Sequence, residues 1–371
     1  MLLTLTNAPR DYAWGSTSLL AALEGRAPSA VPEAEVWFGD HPGDPADLAD
    51  GRALSDVTGG GLPYLLKLLA AELPLSIQVH PTREQAREGF AREQGLAAED
   101  PARNYRDDNH KPELIVALSD RFEALGGLRP VEDTLRMLES FGASPGVEAL
   151  RGRLSASGDA LRDVIGWLLG GGAQYEVDEV ISALASAHSA EFATELDVVR
   201  RVADRNPGDP GVVVALLMNV IVLRRGEAIF LRAGLLHAYV SGLGVEIMAA
   251  SDNVLRGGLT PKHIDVAELL AVLDTTPGPV PVIAPGEDAV SSYPVPVPDF
   301  ALRRVELDGG EARVRVRRPA MVLATRGSVS VAGVDGGAGI AVAVGTAAYA
   351  DGEDELVLAG RGEVFVAEPG A

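Results

Sequence analysis

The apolar and polar positions of this chain pass from a strand period to a helix period and back again. Up to about residue 125 the apolar runs are short, alternate with polar residues, and are separated by Gly, Pro and Asp. Residues 2–6, 12–16 and 34–42 read as such strands, the last broken at His41 and Pro42. Residues 62–69 form a mostly apolar run with one cation, Lys67, which sits at an edge, snorkels to water, or is aimed into a polar cavity. In Leu75, Ser76, Ile77, Gln78, Val79 and His80 every second position is polar. A strand would turn Ser76, Gln78 and His80 to one face and the apolar three to the other. Thr82 and Gln85 form a capping box for a helix running to about Glu93. A polar run from Asn104 to Glu113 then precedes a core strand at 114–118 and places His110, Lys111 and Glu113 at its entrance.

From about Val131 to Ala203 the helical period takes over. Leu161, Val164, Ile165 and Leu168 recur on one helix face, and Val177, Val180, Ile181 and Leu184 repeat the pattern after three glycines. This is a helical insertion, and its histidine, His188, belongs to a solvated or packing face. Strands return at 212–222 and 228–231, with a turn at 224–227 between them. Residues 265–273 read as a short helix, and 277–298, rich in Pro and Val, as a linker or set of edge strands. The last stretch alternates short strands with Gly and Asp turns, which predicts a second β-domain. It contains no histidine, so the expectation is a structural domain without a metal site.

At 371 residues the chain is long enough for two or three domains and a large core. Hydrophobic residues at 47% and charged residues at 23% exclude disorder as a description of the whole. A formal charge of −21 argues against nucleic acid and anionic membrane as partners, so an anionic substrate needs a local basic pocket. Without cysteine there is no disulfide, thiolate metal site or Cys nucleophile. The N-terminus has no basic leader and no run reaches membrane-spanning length, so the expectation is a soluble cytoplasmic protein.

Gln78 and His80, two apart on one strand, offer an oxygen and an imidazole nitrogen to one point. The same pattern also fits a half-buried strand with a satisfied core histidine. Together with Glu113 and His237 they make a set of N and O donors suited to zinc or a similar divalent ion where thiolates are absent.

Three stretches carry more than spacing. Pro74 through Pro81, Asp108 through Glu113, and residues 248–262 resemble the type I mannose-6-phosphate isomerases, also called phosphomannose isomerases, and weaker similarity runs from Tyr12 to about Leu273. The resemblance implies a mainly β chain with an α-helical insertion: a cupin, jelly-roll catalytic domain in residues 1–125 and 206–275, a helical domain in 126–205, and a second cupin-like β-barrel in 276–371. It implies one divalent metal ion, zinc first, on Gln78, His80, Glu113 and His237. Arg256, His110, Lys111 and Asp252 take catalytic positions, the histidine and aspartate for proton handling, while Lys67, Ser76 and Lys262 contact substrate or phosphate. The implied reaction interconverts mannose 6-phosphate and fructose 6-phosphate through a cis-enediol(ate). The implied partner is a phosphorylated hexose, with a monomer as the expected state and a weak homo-oligomer as the alternative. Two other classes share the residues: a metal-dependent cupin oxygenase, and a non-catalytic sugar-phosphate-binding cupin.

Overall fold

A computed structural model describes residues 1–97, 100–334 and 339–371. The strand His237–Ala249 is the spine of the first half. Its early residues pair with Gln78–Val79 and Phe122–Leu128, and its later ones with Tyr64–Ala71 and Glu113–Ala117, all antiparallel. Apart from half-buried Gln78, these strands are buried over nearly their whole length, because one face packs inside the sandwich and the other under a covering layer.

Alternation sorts the side chains between the two faces. Leu66, Leu68, Leu114, Val116, Val245 and Ile247 point outward into a core shared with Phe300, Met321 and Phe365 of the C-terminal half. Leu69, Ala71, Ile115, Ala117 and Tyr239 point inward. In the spine the inward positions are odd at His237 and Tyr239 but even at Glu246. The change of parity falls where pairing with Phe122–Leu128 shifts register, between Tyr239 and Ser241, and where Gly242 adopts φ +121°. A Cβ on Gly242 would also come within 2.7 Å of Phe122, so only glycine fits that bend.

Helices from Val131–Leu138 to Gly211–Leu216 pack as a bundle against Ile77, Val79, Leu125 and Val240, the outward face of the other strands. The capping box is formed as expected: Thr82 accepts from the Gln85 backbone N–H, and the helix Arg83–Glu93 follows. The strand expected at 212–222 is corrected in its first half. Val212, Val213 and Val214 form the helix Gly211–Leu216, and the strand begins only at Met218. Burial on all sides inside the bundle overrides the β-branched preference, and a short apolar run carries no period to tell the two apart.

The C-terminal half is one antiparallel sheet in the order Val290–Tyr293, Ala301–Arg315, Glu355–Glu368, Ala320–Gly333, Ala347–Ala350. Two strands from the N-terminal segment, Leu2–Thr6 and Asp47–Leu48, extend it, so that segment serves both halves of the molecule. Among the described residues no pair joins the two ends of this order, and the sheet stays open rather than closing into a barrel. The architecture is otherwise the mainly β, cupin-like one with a helical insertion.

Candidate metal centre and active site

The inward face of the sandwich carries the chemistry. Glu113 opens its strand with its carboxylate turned the same way as Ile115 and Ala117, and His237 faces Gln78 across paired strands. His80 Nε2 lies 3.1 Å from Glu113 Oε1, and His237 Nε2 lies 3.4 Å from Oε2. One donor atom from each of the three residues falls within 4.8 Å of the others, and all three residues are buried.

Both imidazoles are oriented from behind. His80 Nδ1–H donates to the Asn253 carbonyl at 2.7 Å and His237 Nδ1–H to the Leu235 carbonyl at 3.0 Å, which turns each Nε2 toward Glu113 and leaves that of His80 as a lone pair. His80 Nε2 is buried and has no hydrogen-bond partner among the described residues. Gln78 Nε2 donates to Ser76 Oγ at 3.1 Å, which turns the amide oxygen away from that bond, and Gln78 lines the same cavity as Glu113 and His237. Lone pairs aimed at a carboxylate repel it unless a cation lies between them, and two imidazoles, a carboxylate and an amide oxygen are a donor set that fits zinc.

The electrostatics agree. Burial, with Lys111 adding to it, pushes His80 down to about 4, so the ring stays neutral at pH 7. Burial alone would raise the Glu113 carboxyl, but Lys111, its Nζ 3.2 Å from Oε1, outweighs it and holds the group well below the usual carboxylate range.

The cavity is also lined by Lys67, Ser76, Lys111, Tyr239, Glu35 and Glu246. Ser76, Gln78 and Glu35 also border a wider cavity that carries Arg256, Lys262, Tyr12 and Trp14. Arg256 pairs with Gln78 in the strand register, which brings it beside the donor set. The structure therefore brings together Gln78, His80, Glu113, His237, Lys111, Ser76, Lys67, Arg256 and Lys262.

Two expected residues lie elsewhere. His110 precedes Lys111 in the segment ahead of the strand Glu113–Ala117 and is held away from the cavity, its Nε2 2.8 Å from Asp299 Oδ2, beside Arg83. Asp252 pairs with His41 Nε2 at 3.0 Å in a separate cavity that also holds Asp107 and Arg106. Sequence reasoning missed Glu246 and Glu35. Lys67 Nζ lies 3.2 Å from Glu246 and 3.7 Å from Glu35, and Tyr239 Oη donates to Glu246 at 2.8 Å. Burial raises the Glu246 carboxyl, Lys67 opposes that, and Glu113 reinforces it. A lone glutamate in the apolar run 243–249, opposite a lone lysine in another, was the available signal.

Fold and donor set together define a metal-binding, cupin-like β-sandwich enzyme. Comparison with known proteins narrows this. A family profile described as phosphomannose isomerase type I, catalytic domain, matches residues 2–131. Mannose-6-phosphate isomerase of Escherichia coli (strain K12) is 34% identical over 354 residues, covering 88% of this chain and 89% of that one. The Homo sapiens protein of the same name is 33% identical over 362 residues, covering 84% of each. A mutant phosphomannose isomerase from Salmonella typhimurium superposes with a TM-score of 0.90 at 31% identity, and a mannose 6-phosphate isomerase bound with zinc and yttrium with 0.89 at 31%, both over the full length of each chain. The chain belongs to the type I phosphomannose isomerase family. No described helix is long and apolar enough to cross a membrane.

Proposed function

We propose that the cavity around Glu113 is the active site of a zinc-dependent aldose–ketose isomerase that interconverts mannose 6-phosphate and fructose 6-phosphate. The observation that carries this reading is the buried His80, Glu113 and His237 cluster, which opens past Ser76 and Gln78 into a wider cavity bearing Arg256 and Lys262. Gln78, His80, Glu113 and His237 would hold the ion. When bound, it supplies Lewis-acid polarisation of the sugar carbonyl without a redox step.

The chain's own residues do the rest. Moving a proton between C2 and C1 through a cis-enediol(ate) builds negative charge on adjacent oxygens. Arg256, at the mouth, and Lys111, on the cavity wall, would stabilise it. Lys262 and Ser76 take the phosphate, whose charge of about −2 calls for charge-assisted hydrogen bonds. Lys67, engaged by Glu246 and Glu35, holds those carboxylates in place. Glu246, its carboxyl raised by burial, is the cavity group suited to accept and return the proton. His110 and Asp252 act from outside the cavity, through the segments they tie down. The same reading takes the enzyme to be cytoplasmic and monomeric, and a formal charge of −21 disfavours nucleic-acid and anionic-membrane partners.

The test incubates the purified chain with mannose 6-phosphate, with and without chelator, in the presence and absence of dioxygen. Fructose 6-phosphate should form only with the metal and at the same rate without dioxygen. A metal-loaded chain that binds the sugar phosphate without converting it would contradict the reading, as would turnover that consumes dioxygen.

A further inference from the structure

Asn253 is fully buried where three pieces of the site meet: the strand end at His80, the loop 104–109 that leads to Lys111 and Glu113, and the loop 250–256 that leads to Arg256. Its backbone carbonyl takes the His80 Nδ1–H at 2.7 Å. Its side chain works in the other direction. Oδ1 accepts from the backbone N–H of Arg106 at 2.7 Å and of Asp107 at 3.3 Å. Nδ2 donates to the carbonyls of Asn109 at 2.8 Å and Asp107 at 2.9 Å, and to Asp107 Oδ1 at 3.2 Å.

A carboxamide has two N–H donors and two acceptor lone pairs, and here both ends are in use. No other side chain of this size offers donors and acceptors in that arrangement. Neighbouring bonds tighten the same seam. Asp107 Oδ2 accepts the Asp252 N–H at 2.8 Å, Asn109 Nδ2 donates to the Ala250 carbonyl at 3.1 Å, and Ser251 Oγ donates to the Asn109 carbonyl at 3.2 Å. The two histidine–carboxylate partners, His80 and Glu113, lie on different strands, so the distance between His80 Nε2 and the Glu113 carboxylate depends on how these loops are registered against each other.

We propose that Asn253 is a positioning residue of the metal centre: with its carbonyl it sets the tautomer of His80, and with its carboxamide it sets the loop that delivers Lys111 and Glu113. The proposal rests on His80 and Glu113 being zinc ligands. It differs from a purely structural role in a measurable way. A structural asparagine lowers stability when replaced but leaves the folded fraction with parental zinc affinity. A positioning one loosens the donor set while the sheets stay folded, because both sheets draw their cores from residues elsewhere.

The experiment uses the full chain and three changes. Asn253→Asp keeps the shape but removes both donors and sets a second carboxylate beside Asp107. Asp107→Ala removes the partner on the loop side, where the side chain is only part-buried. His237→Ala is the control for the ligand assignment. Zinc affinity is read by competition with a chromogenic chelator, and kcat and KM on mannose 6-phosphate at saturating zinc. Asn253→Asp and Asp107→Ala should each weaken zinc by about 10–100-fold, the range for groups that orient metal ligands. At saturating zinc kcat should fall while KM stays within about twofold. Combining Asn253→Asp with Asp107→Asn should recover part of the affinity, since an amide at 107 can donate to the new carboxylate. Parental zinc affinity and kcat in the folded variants overturn the proposal. If Asn253→Asp does not fold, Asp107→Ala decides in the same terms. A His237→Ala chain that keeps its zinc overturns the ligand reading beneath it; one that loses zinc while Asp107→Ala keeps parental affinity overturns the positioning role alone.

Discussion

Two glutamates in this chain are almost equally buried, and they do opposite things. Glu363, in the C-terminal sheet, is 1% exposed and its oxygens meet the guanidinium of Arg225 at 2.6 Å, that of Arg304 at 2.7 Å and the Thr325 hydroxyl at 2.7 Å. Burial alone would raise its carboxyl, but the Thr325 hydrogen bond and the two arginines hold it below its ordinary value. Glu113 is 4% exposed, and besides Lys111 it meets two imidazole nitrogens whose protons are committed elsewhere. Every approach to Glu363 is a filled donor, so it is finished as an ion cluster and ties the turn before Ala228–Leu231 to the second half. The approaches to Glu113 include lone pairs and a cavity. Buried charge alone therefore does not mark a site. Unfilled donor capacity facing a cavity does.

The comparison can be sharpened on the Glu113 side through Arg256. Arg256→Ala should lower kcat by about 10²–10³ with little change in KM, the scale for losing one preorganised charge-stabilising donor. Steady-state kinetics on mannose 6-phosphate decide it. A KM increase with kcat intact would assign Arg256 to phosphate binding instead. Arg256→Lys should remain impaired, because lysine keeps the charge but not the planar fork.

On the Glu363 side the opposite split is expected. Glu363→Ala should cost about 3 kcal/mol of stability by leaving Arg225 without its carboxylate and Arg304 with Glu306 alone, while zinc content and kcat of the folded fraction stay parental. Denaturant melts beside the kinetic assay separate the two effects. A kcat loss at full zinc would mean that the second half reaches the reaction after all.

A pH dependence follows from His80. In the zinc-free chain its imidazole is pushed from 6.5 down to about 4 by burial, with Lys111 adding to it. Between those values the unfolded chain binds a proton that the folded chain does not, so stability rises with pH there. Its contribution is complete above about pH 6.5 and is lost as the pH falls toward about 4. Thermal melts of zinc-free protein across that range should show the decline, and His80→Gln should flatten it.

Of the strand expected over residues 75–80 only Gln78–Val79 pairs, and Leu75 lines the cavity with Ser76, but Ile77 and Val79 do face away from Gln78 because period-two alternation is local; the capping box at Thr82 was legible for the same local reason. The helical insertion showed in its long repeat of apolar positions. What the sequence concealed depends on contacts far apart in the chain. His110 and Lys111 are neighbours in a motif, yet only Lys111 lines the cavity, and the partner that claims His110, Asp299, comes from the C-terminal half. Glu246 faces inward only because the strand changes parity near Gly242, which no count by twos from His237 would find. The valines at 212–214 look like a strand until the bundle that buries them is known.

Whether the inward-facing donors around Glu113 hold zinc is decided by zinc content under native conditions. Native mass spectrometry of the parent chain and of His237→Ala, both supplied with zinc and dialysed alike, compares them with the fold intact. One zinc per parent chain and a near-complete loss in His237→Ala are expected, with unchanged circular dichroism. Full zinc occupancy in His237→Ala would contradict the zinc assignment.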